Sequence, residues 1–323
     1  MISPRPAIVA TLVIAAVVVT AHAKPGGTAA QRPAAGATGA AVLPVLPVRR
    51  SVYMLPAEGG NVAVQIGNDG VLLVDARTEA LAPRVAATVR TLTDKPLHTI
   101  INTSADDDHA GGTGALVKLL GGGPQTPRVM AQANVLTRLQ DAGSKTALKL
   151  NAVIVLPLTT TYFTPSHDFF LNGEAVFLHH APAAHTDGDT LVHFRGSDVL
   201  AVGDLLTPDR YPVIDVANGG SVDGVIAALN RILAIAVPAK YQEGGTYVIP
   251  GRGRLCDEAD VVEYRDMVTI IRDRVRDMIA RRMTLQQVTA ARPTRDFDTE
   301  YGTSSGPWTA ELFVDAVYRS LSQ

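Results

Sequence analysis

Apolar positions along the chain change period several times, and each change marks an element. Val52-Tyr53-Met54-Leu55, Val62-Ala63-Val64-Gln65-Ile66 and Val71-Leu72-Leu73-Val74-Asp75 are short runs rich in β-branched and aliphatic residues. They are separated by Gly59-Gly60-Asn61 and Asn68-Asp69-Gly70, the turn residues of hairpins, so an antiparallel meander is predicted. From Leu81 to Leu92, with Pro83 near its start, apolar residues recur at helical spacing, and His98-Thr99-Ile100-Ile101-Asn102 returns to a strand. Gly114 to Leu120 predicts a helix closed by Gly121-Gly122-Gly123, and Ala131 to Ala147 predicts another. The middle of the chain repeats the first theme. Asp168 to Leu171 and Glu174 to His179 surround Asn172-Gly173, while Thr190 to Phe194 and Val199 to Val202 surround Gly196-Ser197-Asp198. Helical periods then run from Val222 to Ile235 and from Asp257 to Met283 on either side of Tyr247-Val248-Ile249, and Leu312 to Leu321 is amphipathic. Meander, helices, meander, helices predicts an α/β fold, a four-layer αββα sandwich of two mixed β-sheets flanked by helices.

Composition adds compartment and excludes some partners. The 323 residues are 46% hydrophobic and 19% charged, with a net charge of −2, which is globular and offers no electrostatic footprint for nucleic acid. Arg5, the apolar run Ala7 to Val19 and Ala21-His22-Ala23 form the three parts of a secretory signal, so residues 1–23 are read as a signal peptide. Export to the periplasm or medium is expected, with no stable membrane association once the signal is cut. Residues 24–48 are Gly, Ala and Pro-rich and read as a flexible linker; 49–283 is the expected domain and 284–323 a helical C-terminal extension. The single cysteine, Cys256, forms no internal disulfide and lacks a neighbouring base in sequence, so it reads as structural.

Polar groups gather where strands end, the place at which a sandwich presents its loops. Asn102-Thr103-Ser104-Ala105-Asp106-Asp107-Asp108-His109-Ala110-Gly111-Gly112 is the first such cluster. Consecutive carboxylates beside an imidazole repel unless something positive sits among them, and a cation is the simplest answer. The alternative is a helix N-terminus, whose exposed amides favour acidic residues. The second cluster is His179-His180-Ala181-Pro182-Ala183-Ala184-His185-Thr186-Asp187-Gly188-Asp189. Its adjacent His179 and His180 face opposite sides of a strand and read as structural. Gly203-Asp204 and Pro250-Gly251-Arg252-Gly253 each set one polar residue after a further strand.

In this order, Asp-His-x-Gly-Gly, His-Thr-x-Gly-Asp, Gly-Asp and Pro-Gly-x-Gly resemble the metallo-β-lactamase superfamily, over roughly Ser51 to Arg282. The resemblance implies metal-dependent hydrolysis of a small-molecule ester, thioester, lactam or phosphoester. The family's first motif, His-x-His-x-Asp-His, is here Ser104-Ala105-Asp106-Asp107-Asp108-His109. Carried over position by position, it implies metal ligands at Asp106, Asp108, His109, His185 and Asp204. Asp106 then stands where a histidine is usual, Ser104 leaves a weak oxygen donor at another such position, and Arg252 replaces the last metal histidine.

Those departures change the expected chemistry. Arginine stays protonated and cannot ligate a metal, so Arg252 is expected to supply the second metal's charge by pairing with Asp108 or Asp204. One zinc ion is then expected at Asp106, His185 and Asp204, with Ser104 or water completing its shell and Asp108 as the catalytic group that orients the attacking water. So oxygen-rich a set also admits manganese or iron. The alternative is a metal-free relative that binds a small anionic ligand through Arg252, or a protein partner. Ser104 as a nucleophile lacks a Gly-x-Ser-x-Gly elbow, and no Gly-x-Gly-x-x-Gly follows a strand to support a dinucleotide site.

Overall fold

Alternation with period two sorts strand residues onto two faces, and the packing follows that sorting. A computed structural model describes residues 41–123, 125–140, 159–303 and 305–322. The expected signal segment, residues 24–40 of the expected linker and residues 141–147 of an expected helix lie outside the described residues. The first sheet has seven strands in chain order: β1 (Leu46–Arg49), β2 (Val52–Ala57), β3 (Gly60–Gly67), β4 (Gly70–Val74), β5 (Leu97–Ile101), β6 (Arg128–Gln132) and β7 (Thr159–Tyr162). It is antiparallel from β1 to β4 and parallel from β4 to β7. The second sheet has five strands, β8 (Ser166–Leu171), β9 (Glu174–Ala181), β10 (Asp189–Phe194), β11 (Val199–Ala201) and β12 (Tyr247–Ile249), with only β11 and β12 parallel. Both sheets are therefore mixed, as expected.

The helices are α1 (Ala82–Leu92), α2 (Asp107–Ala110), α3 (Thr113–Leu120), α4 (Ala133–Gln140), α5 (Val222–Ile235), α6 (Glu258–Ala280), α7 (Leu285–Ala291), α8 (Asp298–Tyr301) and α9 (Ala310–Leu321). In β4, Val71 and Leu73 pack into a core shared with α1, α3 and α4, whereas Leu72 and Val74 join the core between the sheets. In the second sheet Leu191 and Leu200 face α5, α6 and α9, while Val192 and Val199 face the first sheet. Three cores thus separate four layers. Each fully buried Val or Leu in them contributes roughly 1.5–3 kcal/mol.

Local chemistry explains where elements start and stop. Asn172 and Gly173, both at positive φ, turn β8 into β9 as the sequence reading expects. Asp257 and Asp260 form a reciprocal capping box that opens α6. Three expectations shift. The segment read as linker ends earlier, because Leu43 is buried and Leu46–Arg49 pairs with β2 as an edge strand. The stretch read as helix from Ala131 begins as the end of β6, and its helix starts at Ala133. Short helices α7 and α8 lie before the amphipathic C-terminal helix. No helix among the described residues is long and apolar enough to cross a membrane.

The topology positions the polar clusters. β4 and β5 run parallel, as do β11 and β12, and β9 shares the direction of β11 through two antiparallel pairings. The loops leaving β12 and β5 are tied to the starts of neighbouring strands: Asn61 N of β3 donates to Gly251 O at 2.8 Å, and Thr190 N of β10 donates to Thr103 O at 3.0 Å. Asp75, Asp106, His185, Asp204 and Arg252 all lie just beyond such strand ends.

Candidate metal centre

Asp106 occupies the N-cap position of α2, yet its side chain makes no capping bond. It is turned instead to His185, whose Nε2 lies 2.7 Å from Asp106 Oδ2 and 3.9 Å from Asp204 Oδ2. The helix-cap alternative therefore does not account for this residue. One ligand atom from each of Asp106, His185 and Asp204 lies within 4.8 Å of the others, which is the spacing of groups that share a cation. Ser104, buried beneath them, donates from Oγ to Asp106 Oδ2 at 3.3 Å.

The loop carrying His185 is fixed by backbone chemistry. Thr186 N and Oγ1 donate to Asp189 at 2.7 and 2.8 Å, Asp215 N donates to His185 O at 2.9 Å, and Ala183 sits in the left-handed region at φ 55°. Arg138 of α4 ion-pairs with Asp187 from the other side. His185 Nδ1 lies 3.0 Å from Val213 O; a carbonyl only accepts, so Nδ1 carries the proton and Nε2 is aimed at the two carboxylates. His109 repeats this arrangement. Its Nδ1 lies 2.8 Å from Asp75 Oδ2, and its Nε2 lies 3.2 Å from Asp204 Oδ2 without hydrogen-bond alignment. Asp75 is itself held by Thr103 N and Oγ1, at 2.8 and 2.9 Å from its Oδ1.

Electrostatics follow from this crowding. Burial opposes charging of His185, but the hydrogen bond to Asp106 and the fields of Asp189, Asp204 and Asp106 push its pKa up to about 10. Burial likewise opposes charge on His109, and Asp204 and Asp75 raise it well above the ordinary range. Asp204 is desolvated, yet His109, His185 and Arg252 hold it far below the usual carboxylate range. Without a metal, these protons are what neutralise the carboxylates.

The donor set fits a single cation. Two carboxylates and an imidazole offer hard oxygen and borderline nitrogen ligands, and both histidines have Nδ1 anchored so that Nε2 points inward. Asp204 Oδ1 and His109 Nε2 are buried without a hydrogen-bond partner, which is unusual for atoms of this polarity.

Asp108 goes elsewhere. Its Oδ2 pairs with Arg252 Nη2 and lies 3.6 Å from Arg77 Nη2. Of the five ligands that the resemblance implies, the fold brings Asp106, His185 and Asp204 to one point, sets His109 against Asp204, and gives Asp108 to the arginines.

Arg77 is a residue that sequence reasoning missed. Its side chain is 0% exposed, its pKa is lowered by burial against the pull of Asp108 and Asp75, and none of its guanidinium nitrogens has a hydrogen bond. It lies in a slot under Gly60, where a Cβ would stand 2.5 Å from both Arg77 Nη1 and Gly251 O, at a φ of +151°. Position after β4, the strand-end rule that flagged the other clusters, was the available signal.

A cavity of about 430 Å³ opens over the centre, lined by Asp106, Asp108, His185, Asp204, Asp215 and Arg252, and by Val213, Ile214, Val216 and Trp308. His179 and His180 are not among its lining residues; His180 Nε2 is 2.7 Å from Asp187 O, and His179 stacks near Phe177. Cys256 is buried, with its thiol pushed up to about 12 by desolvation, in keeping with a structural role.

Comparison with known proteins places this geometry in a family. The stereoselective inverting sec-alkylsulfatase Pisa1 from Pseudomonas sp. is similar in structure, with TM-score 0.63, 16% identity, and coverage of 86% of this chain and 50% of that one. A double mutant of the same sulfatase matches equally in structure, with TM-score 0.63 and 14% identity. The present chain thus spans about half the length of the sulfatases it matches. A metallo-beta-lactamase from Pontibacter korlensis has TM-score 0.52 and 16% identity, over 70% of this chain and 99% of that one. No curated protein sequence matches significantly. The sequence itself matches the metallo-beta-lactamase superfamily over residues 55–238, more than half of its length, and the chain belongs to that superfamily.

Proposed function

We propose that the chain is an exported, mononuclear metal-dependent hydrolase of a small-molecule ester, thioester, lactam or phosphoester, with sulfate esters a further candidate class. The observation that carries this reading is the convergence of Asp106, His185 and Asp204 on one point while Arg252 engages the remaining carboxylate, Asp108. The structural neighbours, a sulfatase and a β-lactamase, are hydrolases on the same fold and support the class without naming a substrate.

Zinc, or manganese or iron in so oxygen-rich a set, would supply a water activated at neutral pH and polarise the scissile group. The chain's own residues do the rest. Val213 O and Asp75 hold the two imidazoles in the orientation that presents Nε2. Asp108, fixed by Arg252 at the cavity wall, would orient the attacking water. Arg252 and Arg77 offset the charge of Asp108 where a second cation would otherwise be needed.

One observation favours a second reading, a metal-free binding protein of this fold: His185 and Asp106 already pair at 2.7 Å. Elemental analysis of the mature domain decides between them. The first reading expects about one equivalent of metal, lost together with ester hydrolysis in a His185→Ala, Asp204→Ala variant. A folded, metal-free protein that stays metal-free after incubation with zinc, manganese or iron overturns it.

A further inference from the structure

Trp308 lies far outside the region shared with the superfamily, yet it lines the same cavity as the metal-site residues. It is the chain's one tryptophan. Its placement is built in. Thr303 Oγ1 donates to Trp308 O at 2.7 Å, and Thr309 caps α9, accepting from Leu312 N at 3.3 Å. Helix α9 is anchored by buried Phe313, Val314, Ala316 and Val317. Phe313 stacks on Tyr211 with ring centroids 4.8 Å apart, and two residues on, Val213 O receives the Nδ1 proton of His185. The segment that carries Trp308 is therefore packed onto the stretch that orients a metal-site histidine.

The ring itself is placed by packing. Its Nε1 is buried without an acceptor, and the side chain rests, like that of Val216, against the core between the second sheet and its helices. The cavity lining consequently has two unlike sides. Asp106, Asp108, His185, Asp204 and Arg252 form the charged one; Trp308, Val213, Ile214 and Val216 supply apolar side chains to the other, which also carries the carboxylate of Asp215. A ligand that is polar throughout gains nothing by displacing water from the second side, whereas an apolar group gains roughly fourfold in affinity per methylene buried there.

We propose that Trp308 is a specificity-determining residue, the main element of an apolar wall that selects esters bearing an extended alkyl or aryl group. The selection of esters rests on the hydrolytic reading above; the binding of an apolar group to the wall does not. Two measurements on the full mature chain separate them.

The first is Trp308 emission during titration with 1-butanol, 1-hexanol and 1-octanol, with and without added zinc. The single indole reports occupancy directly, and a blue shift is expected that saturates at successively lower concentration as the chain lengthens. The second is kcat/KM for p-nitrophenyl acetate, butyrate, hexanoate and octanoate. The rise with length expected of the native chain falls at least tenfold in its octanoate-to-acetate ratio in Trp308→Ala, mainly through KM, and is largely retained in Trp308→Phe. Metal content, to which Trp308 contributes no ligand, serves as the folding control. An emission that ignores all the alcohols, or a chain-length profile identical in the native protein and Trp308→Ala, overturns the wall. If none of these four carboxylic esters is hydrolysed, the hydrolytic reading is left to the metal analysis and the emission titration alone decides the apolar site.

Discussion

The two halves of the centre are made from similar residues and end in opposite states. At the first position, Asp106, His185 and Asp204 converge, and their approach is tolerable only with a shared cation or with extra protons. At the second, Asp108 meets two guanidinium groups, one of them fully buried. The first position gathers groups that could share a cation; the second has its carboxylate already matched by positive charge. An arginine at the position where the family resemblance implies a metal-binding histidine is therefore more than a missing ligand, because it supplies permanently the positive charge that the ligand would have recruited.

That contrast is broken most directly at Arg252. Arg252→His removes the guanidinium from Asp108 and offers an imidazole beside Asp108, His109 and Asp204. Zinc content is expected to rise from about one to about two equivalents per chain, since three or four N and O donors suffice for zinc. Elemental analysis of the variant reconstituted with excess zinc reads this out. A content that stays at one equivalent would mean that buried Arg77 keeps the position closed by itself, and adding Arg77→Ala should then admit the second ion.

Much of this was legible in the sequence, and the failures have physical causes. Period-two runs bounded by Gly and Asn gave the hairpins, and the order of the four strand-end clusters located the centre. β6 was hidden because its residues lead straight into α4 without a turn residue between them. For Asp106 the sequence left two readings, since a cap and a ligand place the same residue at the same position and differ only in where the carboxylate turns. Arg77 escaped because its role depends on backbone at φ 58° and on the missing Cβ of Gly60, neither of which composition or spacing reveals. Trp308 escaped because it reaches the cavity through the packing of α9 and not through any nearby motif.

A smaller effect tests what holds the first position open. Gly224, in the first turn of α5, lets that helix press on the loop before His185; a Cβ there would stand 1.7 Å from Ala183 O. Ser221, which caps α5, also donates from Oγ to Ala183 O at 2.9 Å, so helix and loop move together. Gly224→Ala is expected to cost about 2–3 kcal/mol of stability, as overpacking does. It should also weaken metal binding roughly tenfold by displacing His185, within the range seen when groups supporting a ligand are lost. Thermal unfolding and a competitive chelator titration measure the two effects. Lost stability with unchanged metal affinity would show that the contact of α5 with Ala183 does not set the position of His185.

The smallest effect is expected at Cys256, which shares burial with Asp204 but none of its charge partners. Desolvation is the leading cause of the rise of its thiol to about 12, and nearby Asp260 adds to it, so the folded protein keeps it protonated. The sign for stability follows from linkage. Its contribution is intact below pH about 8.5, and it is lost progressively between there and the folded value as the unfolded chain's thiol ionises and the folded one does not. Cys256→Ala should therefore flatten the alkaline side of the stability profile, cost roughly 1 kcal/mol at neutral pH for the vacated volume, and leave metal content unchanged. In the native protein at pH 8, iodoacetamide should react with the thiol on the order of a thousandfold more slowly than in denaturant, from the thiolate fraction alone. Rapid labelling of the folded chain, or loss of metal in Cys256→Ala, would instead couple this thiol to the centre and remove the distinction between burial with partners and burial without them.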